Sequence, residues 1–319
     1  MGSEKEVEHR AGFAALIGRP NVGKSTLLNC MLGSKLAAVT PKAQTTRNRI
    51  LGVKNRPGAQ LVLIDTPGIH KARGPLNRFM VDQAMQAIAS CDVVVFIADA
   101  PQLAPARLAA GPFEPGPGNR LILERLAQAD KPILLALNKV DLLGEKTALL
   151  PIMDGYGKLH PFSAIVPISA KNGEGVDALE GEIAARLPLS PPLYPEEMLT
   201  DQAERLLAGE MVREQAFILL ADELPYSLAV TVESFVERPV AGGDADAREI
   251  VIDAELYVER DSQKGIVVGE GGRMIREIGT RARHEIGRLL GCPVHLRLHV
   301  KVDPDWTRTQ GALRRMGYQ

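Results

Sequence analysis

Between an apolar run at 13–17 and a helix-forming stretch at 26–32 the chain reads Gly18-Arg-Pro-Asn-Val-Gly-Lys-Ser25. This is the Walker A pattern in the context it requires, a strand feeding a glycine-rich turn that opens onto a helix. The glycines let backbone N–H groups turn inward around phosphate oxygens, and the helix N-terminus favours their negative charge. A turn of this kind belongs to a βαβ unit, so the first half of the chain is expected to be an α/β domain with a mostly parallel sheet. The residues assigned to the phosphates are Gly18, Arg19, Pro20, Asn21, Val22, Gly23, Lys24, Ser25 and Thr26. Lys24 neutralises the β and γ oxygens, and the Ser25 hydroxyl ligates Mg²⁺.

Apolar runs at 61–64, 93–98, 133–137 and 166–168, separated by helical stretches, supply further strands of that sheet. The domain is expected over 11–187. Leu187-Pro-Leu-Ser-Pro-Pro-Leu-Tyr-Pro then carries four prolines in nine residues, which stops both helix and central strand. We read 188–198 as a semi-rigid linker to a smaller α+β domain at 199–319, and a length of 319 residues also favours two domains. The stretch 101–118 holds five prolines and three glycines without a period and reads as a surface loop, and residues 1–10 read as a tail. No apolar run exceeds strand length, so no transmembrane helix is expected. Cys30, Cys91 and Cys292 have no metal or disulfide spacing and read as the reduced thiols of a cytoplasmic protein.

Walker A does not separate ATP from GTP; the base-reading residues do. Asn138-Lys139-Val-Asp141 follows the run at 133–137. The Asp141 carboxylate can accept from both the ring N–H and the exocyclic amine of guanine, and adenine offers neither donor there. A carboxylate left unpaired in the pocket is costly, so adenine is rejected. Ser169-Ala170-Lys171 completes the pocket, with the Ala170 N–H expected to donate to the guanine carbonyl. Asp65-Thr-Pro-Gly68 ends the strand at 61–64, bringing a carboxylate to Mg²⁺ and the Gly68 N–H to the γ-phosphate. Gln44-Thr-Thr-Arg47 has no apolar period and suits a switch loop that lends a threonine to the metal; Thr46 is favoured over Thr45. A P-loop kinase reading fails on residues 138–141 and on the want of a second substrate site, and the single Walker A sequence excludes a tandem GTPase.

In order and spacing these motifs resemble the translation-factor-related class of GTPases over 13–187. The resemblance implies GTP hydrolysis to GDP with Lys24, Thr46, Gly68 and Asn21 at the reacting phosphate. That class often has a glutamine after Asp-Thr-Pro-Gly to orient the attacking water, whereas this chain has Ile69, so slow turnover is expected. Several members with such a replacement use K⁺ held partly by an asparagine in the position of Asn21. The alternative is that Asn21 only bonds its own backbone.

In the second domain, Ile266-Val-Val-Gly269-Glu270-Gly271-Gly272 followed by Arg273-Met-Ile-Arg276 looks like the Gly-x-x-Gly loop of a KH domain, which clamps single-stranded RNA by its backbone. Ile275, Ile278, Ala282, Ile286 and Leu289 keep helical spacing after it and read as core. From 262 to 301 eight Lys or Arg face three acids, a net charge of +5 in a chain whose overall charge is −1. Segregated basic charge is the footprint of a phosphate-binding surface. Lys264, Arg273 and Arg276 are the cations nearest the loop; Glu270 departs from the pattern, because its carboxylate opposes phosphate.

A GTPase of this class with one C-terminal KH domain resembles the Era-like family of bacterial GTPases. Pro225-Tyr-Ser, Ala282-Arg-His-Glu, Pro293-Val-His-Leu, Val300-Lys-Val and the close Leu313-Arg-Arg-Met-Gly-Tyr318 extend the likeness along nearly the full chain, although the 101–118 stretch is not typical of that family. The resemblance implies an assembly factor for the small ribosomal subunit that binds the 3′ end of its RNA, and not DNA, with peripheral membrane contact. Two modes of action then compete. In one the nucleotide state gates RNA binding; in the other RNA binding is constitutive and the GTPase domain is mainly structural.

Overall fold

The computed structural model describes residues 8–71, 74–100, 115–221, 224–239 and 248–318. Most of the expected 101–118 loop lies outside them; its last residues open a helix at Pro117. The chain divides into two compact units, one of Met1–Lys35, Thr46–Lys71 and Met80–Asp201, the other of Leu36–Thr45, Ala72–Phe79 and Gln202–Gln319. Among the described residues no helix is long and apolar enough to cross a membrane.

The first unit is built on a six-stranded sheet. In chain order its elements are β1 (Arg10–Gly18), α1 (Lys24–Leu32), β2 (Ile50–Arg56), β3 (Ala59–Asp65), α2 (Pro75–Ser90, of which Met80 onward falls in this unit), β4 (Val93–Asp99), α3 (Pro117–Leu126), β5 (Ile133–Asn138), α4 (Leu149–Leu159), β6 (Ala164–Pro167) and α5 (Val176–Ala184). The sheet order is β2-β3-β1-β4-β5-β6. All neighbours run parallel except β2, which pairs antiparallel with β3 at the edge. β3, β4 and β5 are buried along their whole length, as strands covered on both faces must be, which is why they read as unbroken apolar runs. β1 begins at Arg10, and the His9 ring is 2.8 Å from the Ser190 carbonyl, so the last residues of the expected tail belong to the sheet.

The proline-rich run does not bridge free space. The Gln60 side chain accepts from the N–H groups of Leu193 and Tyr194 at 2.7 and 2.9 Å and donates to the Tyr194 carbonyl at 2.8 Å. Beyond it the Val53 N–H donates to the Leu199 carbonyl at 2.8 Å, and the Thr200 hydroxyl donates to the Leu51 carbonyl at 2.5 Å. Backbone polar groups that proline cannot pair internally are thus satisfied along β2 and β3, and the segment packs with the first unit as far as Asp201.

The second unit contains α6 (Glu204–Leu219), β7 (Ala229–Pro239), β8 (Arg248–Val258), α7 (Asp261–Val268), α8 (Arg273–Leu290), β9 (Val294–Val302) and α9 (Gln310–Arg315). Its three-stranded sheet has the order β7-β8-β9, with β7 and β8 antiparallel and β8 and β9 parallel through the α7–α8 crossover. Ile278, Ala282 and Ile286 of α8 join Ala208, Met211, Val212 and Ala216 of α6 over Ile250, Ile252 and Ala254 in one core. Ile275 is only partly buried against that core and Leu289 is half-buried.

Candidate functional site

In an open α/β sheet a ligand binds where strand order reverses, outside the carboxyl ends of the strands. Here that point is β1, with β3 on one side and β4 on the other. The loop after β1 holds Asn21 with φ 63° and Gly23 with φ 98°, two left-handed residues that curl the backbone ahead of α1. The Gly23 carbonyl accepts the first helical bond, from Leu27, and Thr26 lies in the first turn. Lys24, at the helix start, reaches back to the Arg19 carbonyl at 3.0 Å. Burial pulls its ammonium down to about 8, opposed by the carboxylate of Asp65.

Three hydroxyl and carboxylate groups converge beside it. The Ser25 hydroxyl donates to Asp65 Oδ2 at 2.6 Å, Thr46 Oγ1 donates to the same oxygen at 3.2 Å, and the two hydroxyls are 2.8 Å apart. Asp65 is fully buried, and burial raises its pKa against the pull of Lys24 and of these hydrogen bonds. Its Oδ1 is buried without a hydrogen-bond partner among the described residues. Hard oxygen donors around an unsatisfied carboxylate oxygen fit Mg²⁺. Thr45 instead bonds the Thr40 hydroxyl at 2.6 Å and the Lys42 carbonyl at 2.8 Å, so Thr46 is the threonine that meets Asp65.

Gly68 crosses the phosphate loop closely: a Cβ there would lie 2.5 Å from the Pro20 nitrogen, so no other residue fits. The Ile69 N–H donates to the Gly18 carbonyl at 3.0 Å, and the Ile69 side chain is 1% exposed within the core. Nothing at that position faces the site to orient a water.

Asn138 joins the base-reading elements. Its Nδ2 donates to the Val22 carbonyl at 2.7 Å and its Oδ1 accepts from the Ala170 N–H at 2.9 Å. The Ala170 N–H, expected to meet the guanine carbonyl, is therefore committed to Asn138 in this structure. Asp141 Oδ1 accepts from the Ser169 hydroxyl at 2.7 Å, which orients the carboxylate. Lys139, itself left-handed with φ 66°, spans the Asn21 carbonyl at 2.8 Å and Asp99 at 2.6 Å. Asp99 ends β4 as Asn138 ends β5, and its role was not read from the sequence, because a lone aspartate after an apolar run carries no spacing signal. Lys171 stands exposed beside the pocket.

In the second unit α7 and α8 are joined by the 269–272 loop. Gly269 has φ 70°, and a Cβ there would lie 2.8 Å from Met274 Cβ and 2.9 Å from the Met274 nitrogen. Gly271 and Gly272 are left-handed at the N-terminus of α8, and a Cβ on either would meet no close neighbour. The basic count needs correction. Arg281 pairs with Glu277, Arg288 with Glu285, Arg297 with Asp253 and Lys301 with Glu255, at 2.7, 3.4, 3.7 and 2.6 Å. Arg276 donates to the Gly271 carbonyl at 2.8 Å and so braces the loop. Lys264 and Arg273, both exposed near the loop with Glu270, form no ion pair among the described residues. At the loop the footprint is thus these two cations with Arg276, beside Ile266, which is 56% exposed on α7 and was not singled out from the sequence; Arg283, the eighth cation counted, is exposed further along α8.

Comparison with known proteins agrees with both halves. Residues 13–139 match the family of 50S ribosome-binding GTPases, and residues 223–307 match the KH domain family. The chain is 46% identical to GTPase Era of Geotalea uraniireducens over 98% of its own length and 99% of the relative's. Against GTPase Era of Geobacter metallireducens it is 47% identical over 97% and 98%. A crystal structure of Era in complex with MgGDPNP and nucleotides 1506–1542 of 16S ribosomal RNA superposes with TM-score 0.87 at 41% identity, covering 97% of this chain and 99% of that one. A point variant of Aquifex aeolicus Era bound to GDP·AlF4⁻ gives the same TM-score, identity and coverage. With its nucleotide loop, its guanine pocket and its Gly-x-x-Gly unit in this order, the chain belongs to the GTPase Era family.

Proposed function

We propose that this GTPase binds the 3′ end of small-subunit ribosomal RNA through its 269–272 loop and serves assembly of the small ribosomal subunit. The observation that carries the RNA reading is the left-handed glycine loop at the start of α8, flanked by Lys264 and Arg273, which form no ion pair among the described residues. N–H groups at a helix N-terminus and nearby cations suit a phosphate backbone. The relative bound to a 16S fragment supports the choice of RNA. The test is a titration of labelled RNA ending in the small-subunit 3′ sequence, at several salt concentrations. Glu270→Asp with Gly271→Asp adds one negative charge and a side chain at the contact, so affinity is expected to fall at least tenfold, about 1.4 kcal/mol. Arg273→Ala is expected to lower the salt slope by about 0.7, the value for one phosphate contact on a single strand. Unchanged affinity in the loop variant overturns the assignment.

The site residues for nucleotide are those that converge at β1, β3, β5 and the loop after β6. Ser25, Thr46 and Asp65 would hold Mg²⁺, which when bound neutralises charge on the β and γ oxygens. Lys24 and the Gly68 N–H serve the γ-phosphate; Asp141 reads guanine. With Ile69 buried, hydrolysis rests on positioning and charge, and its rate is expected to be on the order of unassisted small GTPases. Asn21, exposed and left-handed above the loop, is assigned to a K⁺ ion. Turnover is then expected to rise when K⁺ replaces Na⁺, and Asn21→Gly, which keeps the left-handed backbone, is expected to remove that rise. Equal turnover in both salts sinks the K⁺ assignment.

A further inference from the structure

β4 and β5 end side by side in the first unit, where Asp99 and Asn138 are register partners and the Ala100 N–H donates to the Asn138 carbonyl at 2.9 Å. Asn138 bonds Val22 and Ala170. Asp99, its neighbour, is 5% exposed, and a carboxylate so far from water is costly unless it meets a counter-charge. Lys139 supplies one, with its ammonium 2.6 Å from Oδ2. The other oxygen, Oδ1, is buried with no hydrogen-bond partner among the described residues. A buried ion pair is weak support for two strands that already share a ladder, so this carboxylate calls for a task beyond holding the fold.

Lys139 has a φ of 66°, a left-handed region that a residue with a side chain keeps only where its surroundings over-determine it. Its ammonium bridges two acceptors, Asp99 Oδ2 and the Asn21 carbonyl at 2.8 Å. Asn21 is left-handed as well, with φ 63°, at the curl of the phosphate loop. One side chain therefore joins two strained turns, 18–25 and 138–141. The lysine side chain is 31% exposed, so water competes for it, and a long stem loses rotamer freedom when it is stretched to a neutral carbonyl. A charge-assisted bond to a carboxylate is stronger than a bond to a carbonyl, so it is Asp99 that keeps the ammonium in place.

We propose that Asp99 is a positioning residue for guanine-nucleotide binding: its buried carboxylate holds the Lys139 ammonium on the Asn21 carbonyl and so locks the 138–141 turn to the phosphate loop. The role rests on the reading of 138–141 as the guanine turn given above. Asn21, Asp99, Lys139 and Asp141 all belong to the first compact unit. With the lock in place, base and phosphates meet a site already assembled. Without it the nucleotide has to order both turns, and that cost falls on affinity. The base keeps its contacts from bound GTP to the transition state, so the loss is uniform binding and spares the chemical step.

The experiment uses the full chain and measures the Kd and dissociation rate of a fluorescent GDP analogue, with the single-turnover rate of GTP hydrolysis in Mg²⁺. Asp99→Asn removes the charge at nearly constant shape. Its amide oxygen can face Lys139, and its amide nitrogen then takes the place of Oδ1, which has no partner among the described residues to lose. If the amide is not accommodated, Asp99→Ser, smaller and uncharged, takes its place. Asp99→Asn and Lys139→Met are each expected to speed dissociation at least tenfold with the single-turnover rate within twofold. The double variant is expected to match Lys139→Met within twofold, because Asp99 acts only through that lysine. A merely structural Asp99 would show its loss whether or not the lysine is there. Parental dissociation in a folded Asp99 variant overturns the lock, as do additive losses in the double variant. Asp141→Asn run in parallel separates this from failure of the underlying reading: if it keeps parental guanine selectivity, it is the 138–141 turn that has been misassigned.

Discussion

Asn138 offers a measurable case of one side chain holding a pocket together. It is 2% exposed and its amide joins the Val22 carbonyl to the Ala170 N–H, at 2.7 and 2.9 Å. Asn138→Ala strands both backbone groups in residues that are each 3% exposed. An unsatisfied buried donor or acceptor costs about 1–3 kcal/mol, so the sum is about 2–6 kcal/mol, with the lower end reached if a water fills the gap. With a urea m-value of ~3 kcal/mol/M at most, the midpoint for the first unit is expected to fall by at least ~0.7 M. The single tryptophan, Trp306, lies buried in the second unit, stacked on Tyr318 at 5.9 Å. Its fluorescence therefore follows that unit and serves as an internal reference, while circular dichroism follows both. The expected result is an earlier dichroic transition with the tryptophan transition in place, and at least tenfold weaker GDP and GTP binding. Asn138→Asp keeps the acceptor for Ala170 and loses the donor to Val22, so its loss should be smaller than that of the alanine variant only if the Ala170 bond carries weight. A shift under about 0.2 M in Asn138→Ala would refute the reasoning.

Two further outcomes follow from the two units separately. Asp141→Asn is expected to weaken GTP and admit xanthosine triphosphate, because an amide can face the carbonyl that replaces guanine's amine; competition binding with both nucleotides checks it, and parental selectivity would remove Asp141 as the base reader. Gly269→Ala sets a Cβ against Met274 in a left-handed conformation, so RNA affinity should fall at least tenfold while GTP binding stays unchanged, whereas Gly271→Ala, with no protein neighbour against its Cβ, should lower the stability of the unit only by the left-handed strain of about 1–2 kcal/mol.

Much of the nucleotide site was legible because its chemistry is local in sequence: the motifs at 18–25, 65–68 and 138–141 follow β1, β3 and β5, which read as apolar runs, whereas the motif at 169–171 follows β6, a strand that is mostly half-buried. β2 was missed for the opposite reason. Ile-Leu-Gly-Val-Lys-Asn-Arg is an edge strand, half-exposed and neither alternating nor wholly apolar. The polar face of α6 was illegible too, since Glu210, Arg213 and Glu214 at helical spacing read as a solvated surface until Leu36–Thr45 is seen against them. Net charge over 262–301 overstated the RNA footprint because the neutralising acids Asp253 and Glu255 lie on β8, outside the window counted. The Ala170 N–H bonds Asn138 in this structure, a neighbour that the motif alone does not name.

The segment that lies along β2 bears on how this domain can be handled alone. β2 is the antiparallel rim of the sheet, and an uncovered rim is a template on which another chain can add a strand. In this protein the Val53 N–H and the Leu51 carbonyl are taken up by Leu199 and Thr200, and the Asn55 side chain donates to the Glu196 carbonyl at 2.8 Å. Cutting the chain at the first proline would strip that cover and invite self-association, while a cut after Asp201 would leave the rim sheathed.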